Sequence, residues 1–338
     1  MPSFHPAKVL EILDRRSGLQ KISISRNGVI EKAYVLTDLL GEVHVDDEVI
    51  INTTAVELGL GTGGWHFVHW NLSRESFVRP GPGHIMKLKY TSLQFDAGAA
   101  EETHQDIPTT LENTPVIACG LHSQVGAVIR TLANLAPQLQ ISYVMTDGGA
   151  LPLALSDLVH ELQQEQVLNA TVTAGNAFGG DLEAVALPSA LLMARHVQKA
   201  DVIVVGMGPG IAGTGTPFGH SGVEVANTLN TTGALAGRGI CCARMSSADG
   251  RDRHQGVSHH TLSALALTVH EIAVPIPTEF VADPIESHRV IPISVPDDLV
   301  TTANYSTHLT TMGRNVTEDT LFFKSCAASA IYAISLIP

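Results

Sequence analysis

Apolar and polar positions change rhythm once along the chain. Residues 6–16 read as a short helix, after which Ile22 and Ile24 alternate with polar neighbours and Asn27-Gly28 marks a hairpin. Segments 32–37, 43–45, 48–53, 65–70 and 85–90 follow as further short strands divided by turn residues. That spacing predicts a small, mostly β, barrel-like domain over residues 1–95. Residues 96–113 are polar, acidic and nearly free of large apolar side chains, which is linker composition.

From residue 114 the pattern becomes strand–helix alternation. Val116–Gly120, Ile141–Thr146, Ala170–Ala174, Val202–Val205 and Ile240–Met245 are short apolar runs. Between and after them, 123–135, 151–164, 181–198, 220–235 and 258–268 carry helical patterns. The alternation predicts an α/β domain over residues 114–338, built on a doubly wound, Rossmann-like parallel sheet. Pro275, Pro277, Pro284, Pro292 and Pro296 divide the later chain into short extended pieces. Asn315-Val-Thr-Glu318 has capping-box form ahead of a last helix over 316–335. That helix is apolar almost all round and needs cover on more than one side, from the body or from a second subunit; a homodimer is expected.

Ligands of an open parallel sheet bind beyond the carboxyl ends of its strands, where neighbouring connections diverge. The fourth strand runs into five glycines at 206, 208, 210, 213 and 215. Such a loop exposes backbone N–H groups and makes an anion-binding concavity. Gly206, Gly208, Gly210, Gly213 and Thr214 are therefore candidate ligand contacts, with Arg251 and Arg253 after the fifth strand as a guanidinium clamp for phosphate or carboxylate. His122, Asp181, His254 and His259 also lie at strand ends and are the candidate catalytic groups, able to move protons. His259 and His260 are adjacent and not an i, i+4 pair, so on a regular helix at most one faces a given metal. Strand orders 3-2-1-4-5 and 2-1-3-4-5 are both compatible with the pattern, and both keep His122 at the switch point.

Composition narrows the function classes. The 338 residues are 44% hydrophobic and 16% charged, with a formal net charge of −13, so there is no electrostatic footprint for nucleic acid. No apolar run reaches the roughly 18 residues a membrane helix needs, and the start has no leader pattern. Cys119, Cys241, Cys242 and Cys326 sit in or beside apolar runs without CxxC spacing and read as buried thiols, which fits a cytoplasmic location. No cofactor or metal is identified by any motif.

Gly83-His-Ile-Met-Lys-Leu-Lys-Tyr90, Phe178-Gly-Gly-Asp-Leu-Glu-Ala-Val185, the 205–215 segment, Arg253-His-Gln-Gly-Val-Ser-His-His-Thr261 and Thr311-Met-Gly-Arg314 together resemble a bacterial family known as domain of unknown function 3866. The resemblance spans nearly the whole chain. It implies a bacterial origin and assigns no activity, cofactor or site residue. From the residues, the expectation is an enzyme acting on a small anionic, phosphate-like metabolite; the alternative is a non-catalytic sensor of such a ligand.

Overall fold

Along the first strands, residues that alternate in sequence share one buried side. Ile22, Ile24, Ala33, Val35, Val49 and Ile51 are all fully buried and make the core of a closed barrel. Its strands are β1 (Phe4–Arg16), β2 (Leu19–Arg26), β3 (Val29–Leu36), β4 (Glu48–Asn52) and β5 (Trp65–Asn71), in the order β1-β2-β3-β5-β4. β1 pairs with both β2 and β4, which closes the ring, and β3 pairs with β5 in parallel. The helix expected over 6–16 is therefore wrong: this stretch is the long strand β1. Two register shifts, between Val9 and Glu11 and between Ile12 and Asp14, insert extra residues into it. They throw the apolar positions off period two and give a strand the spacing of a helix. In a computed structural model that describes residues 1–338 except 281–284, 286–287 and 303–308, the chain divides into two compact units, Met1–Ala97 and Gly98–Pro338.

The segment read as a linker is part of the second unit from Gly98 onward. Leu111 is fully buried and its N–H donates to the Leu235 carbonyl at 2.7 Å, while Asn113 does the same to Ala236 at 2.9 Å.

The second unit is built on eight parallel strands. They are β6 (Pro115–Cys119), β7 (Ile141–Thr146), β8 (Ala170–Ala174), β9 (Leu182–Ala184), β10 (Val202–Met207), β11 (Arg238–Cys242), β12 (Ala273–Pro277) and β13 (Arg289–Ile293). The spatial order is β9-β8-β7-β10-β6-β11-β12-β13. Neither order compatible with the sequence is realised, because β10 inserts between β7 and β6. Every backbone group in a fully apolar strand is equally ready to pair, so a run such as Val202–Val205 reveals that it is a central strand and not which strands flank it.

Helices cover both faces. α1 (His122–Leu135), α2 (Asp157–Gln164) and the last helix α6 (Thr320–Ile334) share one core with Ile117 and Cys119. α4 (Glu224–Ala234) and α5 (His259–Leu265) cover the other face with Ala118 and Cys241. α6 lies against α1, β11 and β12, with Phe322, Phe323, Cys326 and Ala327 buried. Its apolar girth is thus satisfied inside the chain, and the ground for expecting a second subunit is gone. The helix expected over 181–198 is instead the edge strand β9 followed by the short α3 (Leu187–Leu192) and one π turn over Met193–Val197. Pro188 occupies the second position of α3, where no N–H partner is needed, so it starts a helix and kinks none. The extended pieces punctuated by proline are β12 and β13; Pro284 lies outside the described residues. All four cysteines are free and buried. Among the described residues no helix is long and apolar enough to cross a membrane.

Candidate functional site

The chain leaves β6 toward β7 on one side and leaves β10 toward β11 on the other, yet β6 and β10 are neighbours. This is the switch point of the sheet, and His122 stands at it as the first residue of α1. Its Nδ1 donates to the Met207 carbonyl at 3.0 Å, and its Nε2 accepts from the Ser156 hydroxyl at 2.6 Å. Ser156 in turn caps α2 by accepting from the Val159 N–H. Both imidazole nitrogens are therefore consumed by structure, and burial pushes the ring down to about 4, so it is neutral. His122 belongs to the frame that holds three connections together rather than to the reacting groups.

The five glycines divide by position. Gly206 lies inside β10, where a Cβ would press on Val125 of α1 at 2.9 Å, so it serves helix-on-sheet packing. A Cβ on Gly208 would fall on the carbonyl oxygen of Ala150, and Ala150 donates its N–H to Pro209 at 2.8 Å. The backbone approach that the glycine permits is thus to the neighbouring connection, not to open space. Gly210 differs, with φ of +99° and nothing within 4 Å of its Cβ position. Beyond it the chain folds into a hairpin finger. Gly213 bridges His220, Thr214 N–H donates to Gly219 at 2.8 Å, and Ser221 N–H donates to Ala212 at 2.8 Å. The tip is exposed, and the Thr214 and Thr216 hydroxyls lie 2.9 Å apart. The return strand carries His220 back to the sheet just before α4.

The connection after β11 folds in the same way. Met245–Ser246 pairs with Gly256–Val257, and Arg244 takes its backbone N–H to Thr261 Oγ1 at 2.9 Å while its carbonyl accepts from Ser258 at 2.8 Å. Gln124 fastens the strand ends beneath: its Oε1 accepts from Gly120 and Leu121, and its Nε2 donates to Cys242. The result is that α5 starts directly over Arg244, with Ser258 as its cap.

Four histidines meet there. His260 stacks on His220 with ring centroids 3.8 Å apart and planes at 12°. His259 lies 4.4 Å from His260 and 4.9 Å from His254, which is itself 4.9 Å from His260. His259 and His260 both join the cluster, contrary to the expectation that at most one of them faces a given metal; they are the first two residues of α5, and their rings lie 4.4 Å apart. Together with His220 they form the group among the described residues whose ligand atoms, one per ring, all lie within 4.8 Å of one another. Burial holds all four rings below the usual histidine value, His254 at about 4 and His260 at about 3, with Arg244 adding to the effect on both. At neutral pH they are uncharged donors of lone pairs.

The arginines also divide. Arg251 is committed to Asp249 through Nε at 2.9 Å and a second nitrogen at 2.8 Å, and this pairing holds the Asp249 carboxyl well below the ordinary carboxylate range. Arg244 and Arg314 reach the same carboxylate, and Arg314 also reaches the buried Asp319, which accepts from Ser246 at 2.6 Å. Arg253 is exposed, has no side-chain hydrogen bond or ion pair among the described residues, and sits beside Gly215 of the finger, about 4 Å from its Cβ position.

Of the sequence candidates, His254, His259, Arg253, Gly213 and Thr214 come together. Asp181 does not. It lies at the amino end of β8, where its carboxylate accepts from the Thr171 N–H and hydroxyl at 2.8 and 2.9 Å, pinning the edge strand. Two residues were missed. His220 was hidden in a span read as the start of a helix, and its only signal was a histidine closing the glycine-rich stretch. Glu224 takes the Thr146 hydroxyl at 2.6 Å, and burial, with Asp147 nearby, pushes its carboxyl up to about 7; nothing in the sequence marked it.

A family model described as "Protein of unknown function (DUF3866)" matches residues 32–330. No curated protein and no solved structure matches the chain.

Proposed function

The chain belongs to the DUF3866 family, and from that membership, which names no activity, we propose that it is an enzyme acting on a small anionic metabolite at the carboxyl edge of its parallel sheet. The observation that carries the reading is the stack of His220 on His260, which joins the finger after β10 to the connection after β11 and gathers four neutral imidazoles. Neutral imidazoles keep a lone pair at pH 7 that can accept a proton or bind a metal ion. The guanidinium of Arg253, beside the finger and unpaired among the described residues, supplies the anion contact, with the Thr214 and Thr216 hydroxyls and the open backbone at Gly210 on the same finger. Arg251 has a different part: it fixes Asp249 and so the floor on which Arg244 holds the histidines.

The test is exposure of the purified chain to a mixed panel of phosphorylated and carboxylated metabolites, read by mass spectrometry. A compound consumed by the wild type and spared by His254→Asn, with its binding weakened by Arg253→Ala, supports the reading. A compound that binds in an Arg253-dependent way and is recovered unchanged would make the protein a sensor instead.

A further inference from the structure

We propose that His220, His259 and His260 hold one divalent late first-row metal ion, with zinc chemistry, and leave one coordination position open. This deepens the functional reading above and rests on it only for what fills the open position.

The argument starts from lone pairs. His220 is 5% exposed, and its Nε2 donates to the Pro217 carbonyl at 3.1 Å. That bond fixes the ring proton on Nε2 and turns the lone pair to Nδ1, which is buried and has no hydrogen-bond partner among the described residues. His259 Nε2 is likewise buried and without a hydrogen-bond partner among the described residues. A buried polar atom without a partner costs about 1–3 kcal/mol; here two such nitrogens belong to the same three-histidine group. Neutral imidazole is a preferred ligand of zinc, and three such ligands with an open fourth position is the donor set of catalytic zinc sites. A ligating histidine usually donates its other N–H to a carbonyl or carboxylate, and the bond from His220 to Pro217 has that form.

His260 is the third ligand. Its Nδ1 accepts from Arg244 at 3.2 Å, which places its proton on Nε2. Whichever ring nitrogen would take the ion, the Nδ1 lone pair would go to the ion or to the ring proton, and Arg244 would let go, keeping its bond to Asp249. Zinc–nitrogen bonds of about 2.1 Å put tetrahedral ligand atoms about 3.4 Å apart, so rings whose nitrogens now lie within 4.8 Å close by about an ångström, and the near-parallel stack of His220 on His260 opens on binding, one ring turning so that both in-plane lone pairs meet at the ion. Neutral ligands leave the ion its full charge, with arginines around it. The open position therefore favours an anion, and metal and anion should each tighten the other's binding.

The experiment is a titration of chelator-stripped full chain with Zn2+ against a chromophoric chelator, repeated with inorganic phosphate present, alongside His259→Ala and His220→Ala. One ion per wild-type chain is expected. Each variant should lose more than roughly tenfold in affinity, beyond what loss of an outer-shell partner costs. His259→Ala removes a ring with no bond at Nε2, so circular dichroism should show its fold retained. Absence of an ion from the wild type, or unchanged affinity in a folded His259→Ala, overturns the site. Zinc bound with no effect of phosphate supports the metal site and speaks against the anionic substrate; phosphate bound without zinc does the reverse.

Discussion

His122 Nδ1 donates to the carbonyl oxygen of Met207 at 3.0 Å, a bond from the first residue after the β6 turn to the last residue of β10. It spans the switch point of the sheet, and its second nitrogen reaches the cap of α2.

Replacing His122 with alanine should take one hydrogen bond each from the Met207 carbonyl, which keeps Tyr143, and the Ser156 hydroxyl, which keeps Val159, costing about 1–3 kcal/mol of stability. The bond also has a pH dependence. The native ring, held at about 4, stays neutral while the unfolded ring at about 6.5 takes a proton first. Stability is complete above pH 6.5 and falls as pH drops toward 4, by up to about 3 kcal/mol. Urea melts of wild type and His122→Ala between pH 7.5 and 4.5 should show the variant with the shallower slope; equal slopes would remove His122 as the cause.

Glu224 predicts the opposite trend. Its native carboxyl, raised to about 7, binds a proton that the unfolded chain has already released. Its contribution is intact below about pH 4.5 and is lost as pH rises through 7, by up to about 3 kcal/mol. Glu224→Gln should keep the Thr146 contact and gain stability over wild type at pH 8.5, as measured by thermal melting.

Gly208 and Gly210 separate packing from conformation. Gly208→Ala meets the Ala150 carbonyl and should cost roughly 2 kcal/mol or more. Gly210→Ala meets nothing and pays only for its positive φ, about 1 kcal/mol. Paired denaturation curves decide; equal losses would mean the contact with Ala150 relaxes freely.

Arg251 and Arg253 separate in the same manner. Arg251→Ala strips the closest partner from buried Asp249 and should lower stability by about 1–2 kcal/mol. Arg253→Ala should leave stability within about 0.5 kcal/mol and weaken anion binding, read by calorimetry with inorganic phosphate. A stability loss on removing Arg253 would mean it is a brace and not a ligand contact.

Much of this was legible because burial leaves a rhythm. The short β segments announced a barrel, and five apolar runs with helical intervals announced a parallel sheet. What stayed hidden was set by partners distant in sequence. The bulges of β1 exist only because that strand must bend to reach both β2 and β4. The insertion of β10 between β7 and β6 changes no residue's polarity. At the site, Arg253 and His259 were visible as chemistry, whereas His220 acquires its meaning only when the finger folds back and sets its ring on His260. Asp181 and Arg251 read as site residues in one dimension; hydrogen bonds to Thr171 and Asp249 are what make them structural.

The outer strands of the parallel sheet set a limit on how copies of the chain can meet. β9 is three residues long, β13 carries Pro292, which lacks a backbone donor, and the barrel is closed on itself. A sheet grows across molecules by offering a long row of free donors and acceptors to another strand, and none of these borders does so. At these borders, therefore, copies of the chain would meet through side chains, and such a contact would be dissolved by surface substitutions rather than by a change in the backbone ladder.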